Sequence, residues 1–211
     1  MDPYRTIAGP GEDQFIEKKS RFIGAVRPVA TEEEALAFIQ EKRKQHWDAT
    51  HNVYAYVLRE GQVRRYSDDG EPQGTAGVPV LEVLLKSGVT DCAVVVSRYF
   101  GGVLLGAGGL VRAYSHGAKI GLEAGGIREM RPCLQLSLNC GYSQLGRVQP
   151  LIVQSGGVLE ETEYADEVTL RFHMPTPLVA DFEKALTDCS AGTLCCDKGI
   201  EAFYPFPCPD P

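Results

Sequence analysis

The stretch Asp91–Phe100 (DCAVVVSRYF) constrains the fold more than any other part of the chain, because it holds an unbroken apolar run. A strand buried on one face alternates apolar and polar residues, whereas a strand buried on both faces is apolar throughout. The run therefore predicts the central strand of a sheet. Glycines follow it at once, at Gly101 and Gly102, and they predict a loop where the strand ends.

The residues before and after this strand supply its neighbours. Thr31 and Glu34 form a capping box, which predicts the start of a helix. Strand patterns predict strands at Ser20–Val29, His51–Leu58 and Val63–Tyr66, and the mixed polarity of Asp13–Lys19 indicates an edge strand or an extended arm. Apolar residues at helical spacing predict helices at Thr31–Trp47, Pro79–Lys86 and Leu110–Ala124.

The pattern after residue 130 predicts a second domain of the α+β class. Its predicted elements are a strand at Leu134–Tyr142, a helix at Gln144–Gln154, strands at Gly157–Tyr164 and Glu167–His173, a helix at Thr176–Cys189 and a strand at Leu194–Phe203. The order βαββαβ is that of the ferredoxin-like fold. We therefore expect domains at 1–130 and 131–205, a linker at Arg128–Pro132, and a tail at 206–211 in which proline ends the sheet from Pro205 onward.

Charge is unevenly distributed between these domains. The whole chain carries −7, and residues from Pro132 onward hold four basic and eleven acidic residues, so that part alone accounts for −7. The first 131 residues hold 17 of each sign. A generally cationic nucleic-acid binder is therefore not indicated, and contact with RNA would require a local patch on the first domain.

Composition also limits location and cysteine chemistry. No apolar run approaches the roughly 20 residues that span a bilayer, and the first residues lack a signal-peptide core, so we expect a cytoplasmic protein. The cysteines are odd in number and form no C-x-x-C pair, which favours reduced thiols. They are Cys92, Cys133, Cys140, Cys189, Cys195, Cys196 and Cys208.

The first of two glycine-rich loops is also acidic, Ser67–Gly77 (SDDGEPQGTAG). Asp68, Asp69 and Glu71 could bind a cation, but their spacing lacks the alternate oxygen donors and late Glu of a calcium loop. An acidic turn is the favoured interpretation. We expect no metal and no cofactor.

The second glycine-rich loop follows the central strand and precedes a helix. Its residues are Arg98, Tyr99, Phe100, Gly101, Gly102, Gly106, Gly108 and Gly109. Backbone amides at a helix start can bind phosphate, yet the loop matches no nucleotide-binding signature. The glycines could equally serve close packing of helix on sheet, and the sequence leaves both interpretations open.

Cations and aromatic residues near these loops suggest a stacking and phosphate-binding surface. Arg98, Tyr99, Phe100 and Arg112 belong to this candidate surface, with Tyr54, Tyr56 and Tyr114 beside them. Lys42, Arg43 and Lys44 end the first helix next to Trp47, where they also suit the helix dipole. The histidines, His51 among them, form no catalytic or metal motif.

Two long runs, YSDDGEPQGTAGVPVL and VVVSRYFGGVLLGAGGLVRAYS, resemble the IMPACT/YigZ family, and SRFIG and HNVYAYV fit as well. The resemblance is close over Phe15–Ala124. It implies a first domain like the second domain of ribosomal protein S five and a second domain like the last domain of elongation factor G. It also implies the ribosome, RNA or a translation-related protein as partner.

Three functions remain open. The leading hypothesis is a non-catalytic protein that associates with RNA or ribosomes and regulates translation, through both loops and their neighbouring cations. The second is a hydrolase that uses Asp68, Asp69 and Glu71, with His51 or Arg98 in the same pocket. The third is a protein-interaction module that docks through the acidic second domain. The candidate binding residues are Lys42, Arg43, Lys44, His51, Ser67, Asp68, Asp69, Glu71, Arg98, Tyr99, Phe100, Gly101, Gly102, Gly106, Gly108, Gly109 and Arg112.

Overall fold

The structure is a computed structural model that describes residues 1–207. It forms two compact units, one of residues 4–129 and one of residues 130–206. The elements of the first unit are β1 (Tyr4–Ile7), β2 (Gly11–Glu17), β3 (Ser20–Pro28), α1 (Glu32–Gln45), β4 (His51–Val57), β5 (Arg64–Ser67), α2 (Gly77–Ser87), β6 (Cys92–Tyr99) and α3 (Ala107–Gly125). The second comprises β7 (Ile127–Cys140, which starts in the first unit), α4 (Tyr142–Gln154), β8 (Val158–Tyr164), β9 (Val168–Pro175), α5 (Val179–Ser190) and β10 (Cys196–Pro207).

The first unit is built on an antiparallel sheet of order β2-β3-β6-β4-β5. Val94 and Val96 of β6 pack with α2 and α3, while Ala93 and Val95 pack with α1 on the other face. Because helices cover both faces, β6 has no polar side until Ser97 and Arg98. The prediction of a buried central strand is confirmed.

Helix α1 begins as its sequence predicts. The Thr31 hydroxyl accepts a hydrogen bond from the Glu34 amide at 3.2 Å. The Glu34 carboxylate reaches back to the Ala30 amide at 2.7 Å, one residue before the position that the capping box predicts. The first contact satisfies an amide that helix geometry leaves unpaired, and the second fixes the residue that precedes the cap.

Helix α3 approaches the backbone of β3 closely where glycine faces glycine. A Cβ added to Gly24 would lie 1.9 Å from the carbonyl oxygen of Gly117, a distance that no real pair of atoms can adopt. A Cβ on Gly117 would in turn lie 2.8 Å from a methyl group of Val96. Glycine at these positions is therefore required by packing.

The second unit is ferredoxin-like, and the α+β class with its βαββαβ order is confirmed. Its strands run β7-β9-β8, and β10 pairs with the other edge of β7. Helices α4 and α5 cover one face, where Val148, Ile152, Phe182 and Leu186 meet the apolar residues of β7 and β9.

The structure differs from the expected course of the chain at three places. The predicted linker Arg128–Pro132 does contain the boundary between the two units, but it is an extended part of β7 and not an irregular connection. Proline does not end the sheet at Pro205, since β10 continues to Pro207 and pairs only with β7 among the described strands, so its free edge tolerates a missing amide. Strand β1 was not predicted, because four residues carry little pattern. The predicted tail continues beyond Pro207, and its remaining part, with Cys208, lies outside the described residues.

Cys92, Cys133 and Cys140 are buried, and all six described cysteines are free thiols. Among residues 1–207, no helix is both long and apolar enough to cross a membrane.

Candidate functional site

The acidic loop between β5 and α2 is held together by its own carboxylates. Asp68 accepts hydrogen bonds from three backbone amides, those of Gly74 at 2.9 Å, Ala76 at 3.1 Å and Gly77 at 2.8 Å. These contacts close the loop onto the start of α2. Asp68 therefore takes the place of the side-chain cap that α2 lacks at Ala76.

Asp69 ties the same loop to β4 and α1. Its carboxylate accepts hydrogen bonds from the backbone amide of Asn52 at 2.7 Å and from the Arg43 guanidinium at 2.7 Å. Its backbone oxygen lies 2.7 Å from Nδ1 of His51, and its amide donates to the Ser67 hydroxyl at 3.1 Å. Ser67, Asp69, His51 and Arg43 are thus brought together, but as parts of one loop anchor.

Glu71 lies at the centre of a buried polar cluster. It accepts from Arg98 at 2.6 Å and from the Tyr114 hydroxyl at 2.7 Å, and His51 Nε2 lies 3.8 Å away. Glu71 is 8% exposed and Arg98 is 5% exposed. Burial and the neighbouring Glu71 carboxylate raise the pKa of Tyr114 far above its usual value, so its hydroxyl remains a donor.

This arrangement bears on the candidate roles of both loops. Arg98 does not lie on the surface as a free phosphate ligand, because Glu71 neutralises it and the protein covers it. Tyr114 is fully buried and cannot stack on a base. Within the described residues, no cluster of three or more histidine, cysteine or acidic side chains could hold a metal ion.

The second glycine-rich loop, residues 100–106, differs from the acidic loop because close packing and positive φ values shape it. Gly101 lies against the β2–β3 turn, where a Cβ would come within 1.9 Å of the Lys19 carbonyl oxygen. Gly102 and Gly106 adopt φ values of +82° and +73°, which favour glycine. The Gly101 amide donates to the Ser20 hydroxyl at 3.2 Å, which fixes the beginning of the loop to β3.

The start of α3 is open. Gly106 provides no side-chain cap, and the first turn holds no acidic residue. A Cβ on Gly108 would meet nothing within 4 Å, so neither packing nor backbone conformation requires glycine there. Gly109 is nearer to neighbours, with Leu105 3.0 Å from the added Cβ. Packing therefore explains Gly101, and positive φ values explain Gly102 and Gly106. Neither explains Gly108.

A groove of about 460 Å³ lies beside this helix start. Arg112, Lys18 and His116 line it together with Phe15, and Glu17 adds one carboxylate. Lys18 and Arg112 are exposed, and within residues 1–207 neither pairs with a carboxylate. Lys18 was not among the predicted site residues, although its position in the tight turn between β2 and β3 was a usable signal.

Tyr99 and the end of α1 lie on the other face of the sheet, as alternation in a strand requires. The Tyr99 hydroxyl lies 3.0 Å from His46 Nδ1 and donates to Asp48 at 3.2 Å, with Arg21 over its ring. Burial raises the pKa of Tyr99 and lowers that of His46. The structure separates Tyr99 from Arg98 and Arg112.

The three basic residues at the end of α1 are used differently. Lys42 is buried, and its ammonium group binds Glu12 and Gln45. Arg43 binds Asp69, as described above. Only Lys44 is exposed and unpaired among these residues of the described chain. The predicted basic patch thus reduces to one free ammonium group.

Comparison with known proteins shows which family has this architecture. Residues 18–122 match the Impact N-terminal domain, and residues 138–193 match a domain of unknown function (DUF1949). The chain is 40% identical over 193 residues to the IMPACT family member YvyE of Bacillus subtilis, covering 91% of this chain and 89% of that protein. The chain belongs to the IMPACT family.

Other IMPACT relatives agree with this assignment. The IMPACT family member YigZ of Escherichia coli is 41% identical over 180 residues, covering 84% of this chain and 88% of that protein. Mouse Protein IMPACT is 36% identical over 97 residues, which covers 43% of this chain and 30% of that protein. A solved structure described as the crystal structure of an hypothetical protein has a TM-score of 0.59 at 38% identity, covering 93% of this chain and 97% of that one.

Proposed function

We propose that this protein is a non-catalytic RNA-binding or ribosome-associated member of the IMPACT family, with a regulatory role in translation. The observation that carries the proposal is the open start of α3, where uncapped amides, Gly108 and the exposed Arg112 lie together. Amides at a helix start attract phosphate through both their hydrogen bonds and the helix dipole.

The surroundings of the helix start support a polyanionic partner. Lys18 and Arg112 face one groove and have no carboxylate partner within residues 1–207. A local patch of this kind is what a neutral domain needs to bind nucleic acid, since phosphate contacts supply most of the affinity.

The hydrolase hypothesis has less support. Glu71 does converge with Arg98 and His51, as that hypothesis requires, but Asp68 and Asp69 are occupied in closing the loop. Glu71 itself balances a buried cation and accepts from Tyr114. A catalytic carboxylate must reach a substrate, and these carboxylates are directed at the protein.

The proposal is tested by cosedimentation with ribosomes at increasing salt. We expect binding that weakens steeply with salt, because bound cations replace condensed counterions. A variant carrying Lys18→Ala and Arg112→Ala should bind less tightly, with a salt slope smaller by about 1 for each phosphate that the variant no longer neutralises.

A double variant with Lys86→Ala and Lys119→Ala is the matched control. It removes the same charge, but both lysines lie in exposed helical pairs with Glu82 and Glu123, far along their helices from the loop. If both variants bound ribosomes equally weakly, the loss of binding would come from net charge and not from the groove. Absence of binding by the wild type at low salt would overturn the proposal.

A further inference from the structure

The sheet of the second unit has one face that lies away from its two helices. Leu170 and Phe172 of β9 point toward α4 and α5. Because side chains alternate along a strand, Thr169, Arg171 and His173 point to the opposite face. The pairing of β9 with β7 and β8 places further residues on this open face, namely Gln135, Ser137, Asn139, Glu161 and Glu163.

Contacts between the strands hold one end of the open face. Tyr204 of β10 stacks on His173, with the ring centroids 3.7 Å apart. Gln135 donates a hydrogen bond to the Tyr204 hydroxyl at 2.7 Å, and His173 Nδ1 lies 2.8 Å from a carboxylate oxygen of Glu160. These contacts join all four strands, so the face is already built before a partner arrives, which lowers the entropic cost of binding.

A groove of about 290 Å³ crosses the remainder of this face. Ser137 and Arg171 line it from β7 and β9, and Glu160, Asp197 and Gly199 line it from β8 and β10. Pockets for whole small molecules hold about 300–1,000 Å³, so this groove lies at the lower limit. Its size suits one long side chain of a partner better than a complete cofactor.

The cations beside the groove are already neutralised. Arg171 lies between Glu161 and Glu163, at 3.3 Å and 3.5 Å from their carboxylate oxygens. Lys198 binds Glu183 of α5 at 2.8 Å. Neither cation is therefore free to hold an anionic ligand such as a phosphate.

Negative charge remains in excess at the groove. Asp197 is exposed, and within residues 1–207 no cation pairs with it. The single positive charge of Arg171 is set against the carboxylates of both Glu161 and Glu163, so one negative charge is left there. An acidic groove attracts cations and repels phosphate, and complementary charge steers the encounter of two proteins.

We infer that the open face binds an extended basic segment of a partner protein, with one arginine side chain in the groove. Arginine fits a site lined by carboxylates because its planar guanidinium can bind two carboxylate oxygens at once and stays charged. The flanking cations of the segment lie over Glu161 and Glu163. This site goes beyond the proposed function, since it lies in the second unit and takes a protein instead of RNA.

A peptide in which arginine and threonine alternate is the probe, because alternation in an extended chain places every cation on one side. Titration of the fluorescently labelled peptide with the full-length protein should raise its anisotropy at low salt. The affinity should fall as salt is raised, since exposed charges are screened. The same peptide with glutamate in place of arginine should not bind.

Glu163→Gln combined with Asp197→Asn should weaken peptide binding about tenfold, as expected for the loss of two exposed ion pairs. Asp181→Asn combined with Asp188→Asn is the matched control. It removes the same charge from exposed positions of α5, on the other side of the sheet, and should leave the affinity unchanged.

Ser137→Gln tests the groove itself, because the longer side chain fills part of it without a change in charge. It should weaken peptide binding about threefold, comparable to the loss of one exposed ion pair. Far-ultraviolet circular dichroism shows whether each variant is folded.

Each contrary result has a distinct meaning. Equal weakening by both charge variants, or full binding by Ser137→Gln, would overturn the inference and leave only an attraction between net charges. Displacement of the peptide by an equal concentration of spermidine would overturn it in favour of a small polyamine ligand. Absence of peptide binding at low salt would overturn it outright, yet the proposed function would stand, because the assay contains neither RNA nor ribosomes.

Discussion

The two glycine-rich loops of the first unit share their glycines but differ in charge and in construction. The acidic loop at 67–77 uses its side chains to hold itself in place: Asp68 closes it onto α2, Asp69 ties it to β4 and Glu71 joins it to Arg98. The loop at 100–106 is held mainly by its first residues, Phe100 and Gly101. Leu104 in this loop is 82% exposed.

This difference shows that the acidic loop supports the fold, whereas the loop at 100–106 presents its residues to solvent. Arg98 connects the two, since it pairs with Glu71 beneath and orients the Phe100 ring above. The more charged loop is thus the structural one, contrary to the usual expectation that charge marks function. Changes in the acidic loop should act on stability, and changes in the second loop should act on binding.

The largest effect is expected for Glu71→Ala, which leaves the buried guanidinium of Arg98 without its anion. Removing one partner of a buried pair costs about 3–5 kcal/mol in the free energy of unfolding. Urea denaturation measures it, with Glu82→Ala as control, because an exposed pair contributes at most about 1 kcal/mol. A change no larger than that of the control would contradict the supporting role of the acidic loop.

A smaller effect is expected for Asp68→Asn. The side-chain amide keeps one carbonyl oxygen but removes the charge and an acceptor, so backbone amides of the loop are left unpaired at a cost of about 1–3 kcal/mol. Asp166→Asn, in the exposed turn between β8 and β9, is the control in the same denaturation experiment. If ribosome binding fell while stability stayed constant, the acidic loop would have to be counted as a contact surface.

The smallest effect on stability is expected for Gly108→Ala, and it has the opposite sign. Alanine is better than glycine inside a helix by about 0.5–1 kcal/mol, and the added Cβ meets nothing. The variant should therefore be more stable in urea denaturation yet bind ribosomes less tightly in cosedimentation, because the methyl group stands where phosphate would approach.

Gly146→Ala provides the control for this prediction. Gly146 lies inside α4 and also has open space around its added Cβ, so it should gain similar stability with unchanged binding. Full ribosome binding by Gly108→Ala would mean that the start of α3 is not a contact surface.

Much of the fold follows from short-range patterns in the sequence. The valines of β6, the Thr31 cap and the alternation in β9 each report on their own neighbours, and their elements are confirmed. The errors lie where tertiary pairing overrides local signals. Strand β7 passes through a predicted linker because neighbouring strands pair with it, and β10 tolerates Pro205 because its outer edge is free.

The candidate site was less accessible to prediction. Arg98 and Glu71 are 27 positions apart, and nothing local indicates that they meet under a loop. The sequence could not show that Tyr114 points inward, or that Trp47 is left outside. Docking through the acidic second domain stays a prediction. The division of the glycines into packing and open positions depends on the tertiary structure, because a glycine in either role is the same letter in the sequence.

The contact of Gly24 with Gly117 has a consequence for motion. Because no side chain separates the two backbones at this contact, α3 cannot move closer to β3 there. The loop at 100–106 is therefore a short segment between two fixed ends. Its adjustment to a ligand should be a local rearrangement on the nanosecond-to-microsecond scale of loops, not the slower collective movement of a hinge.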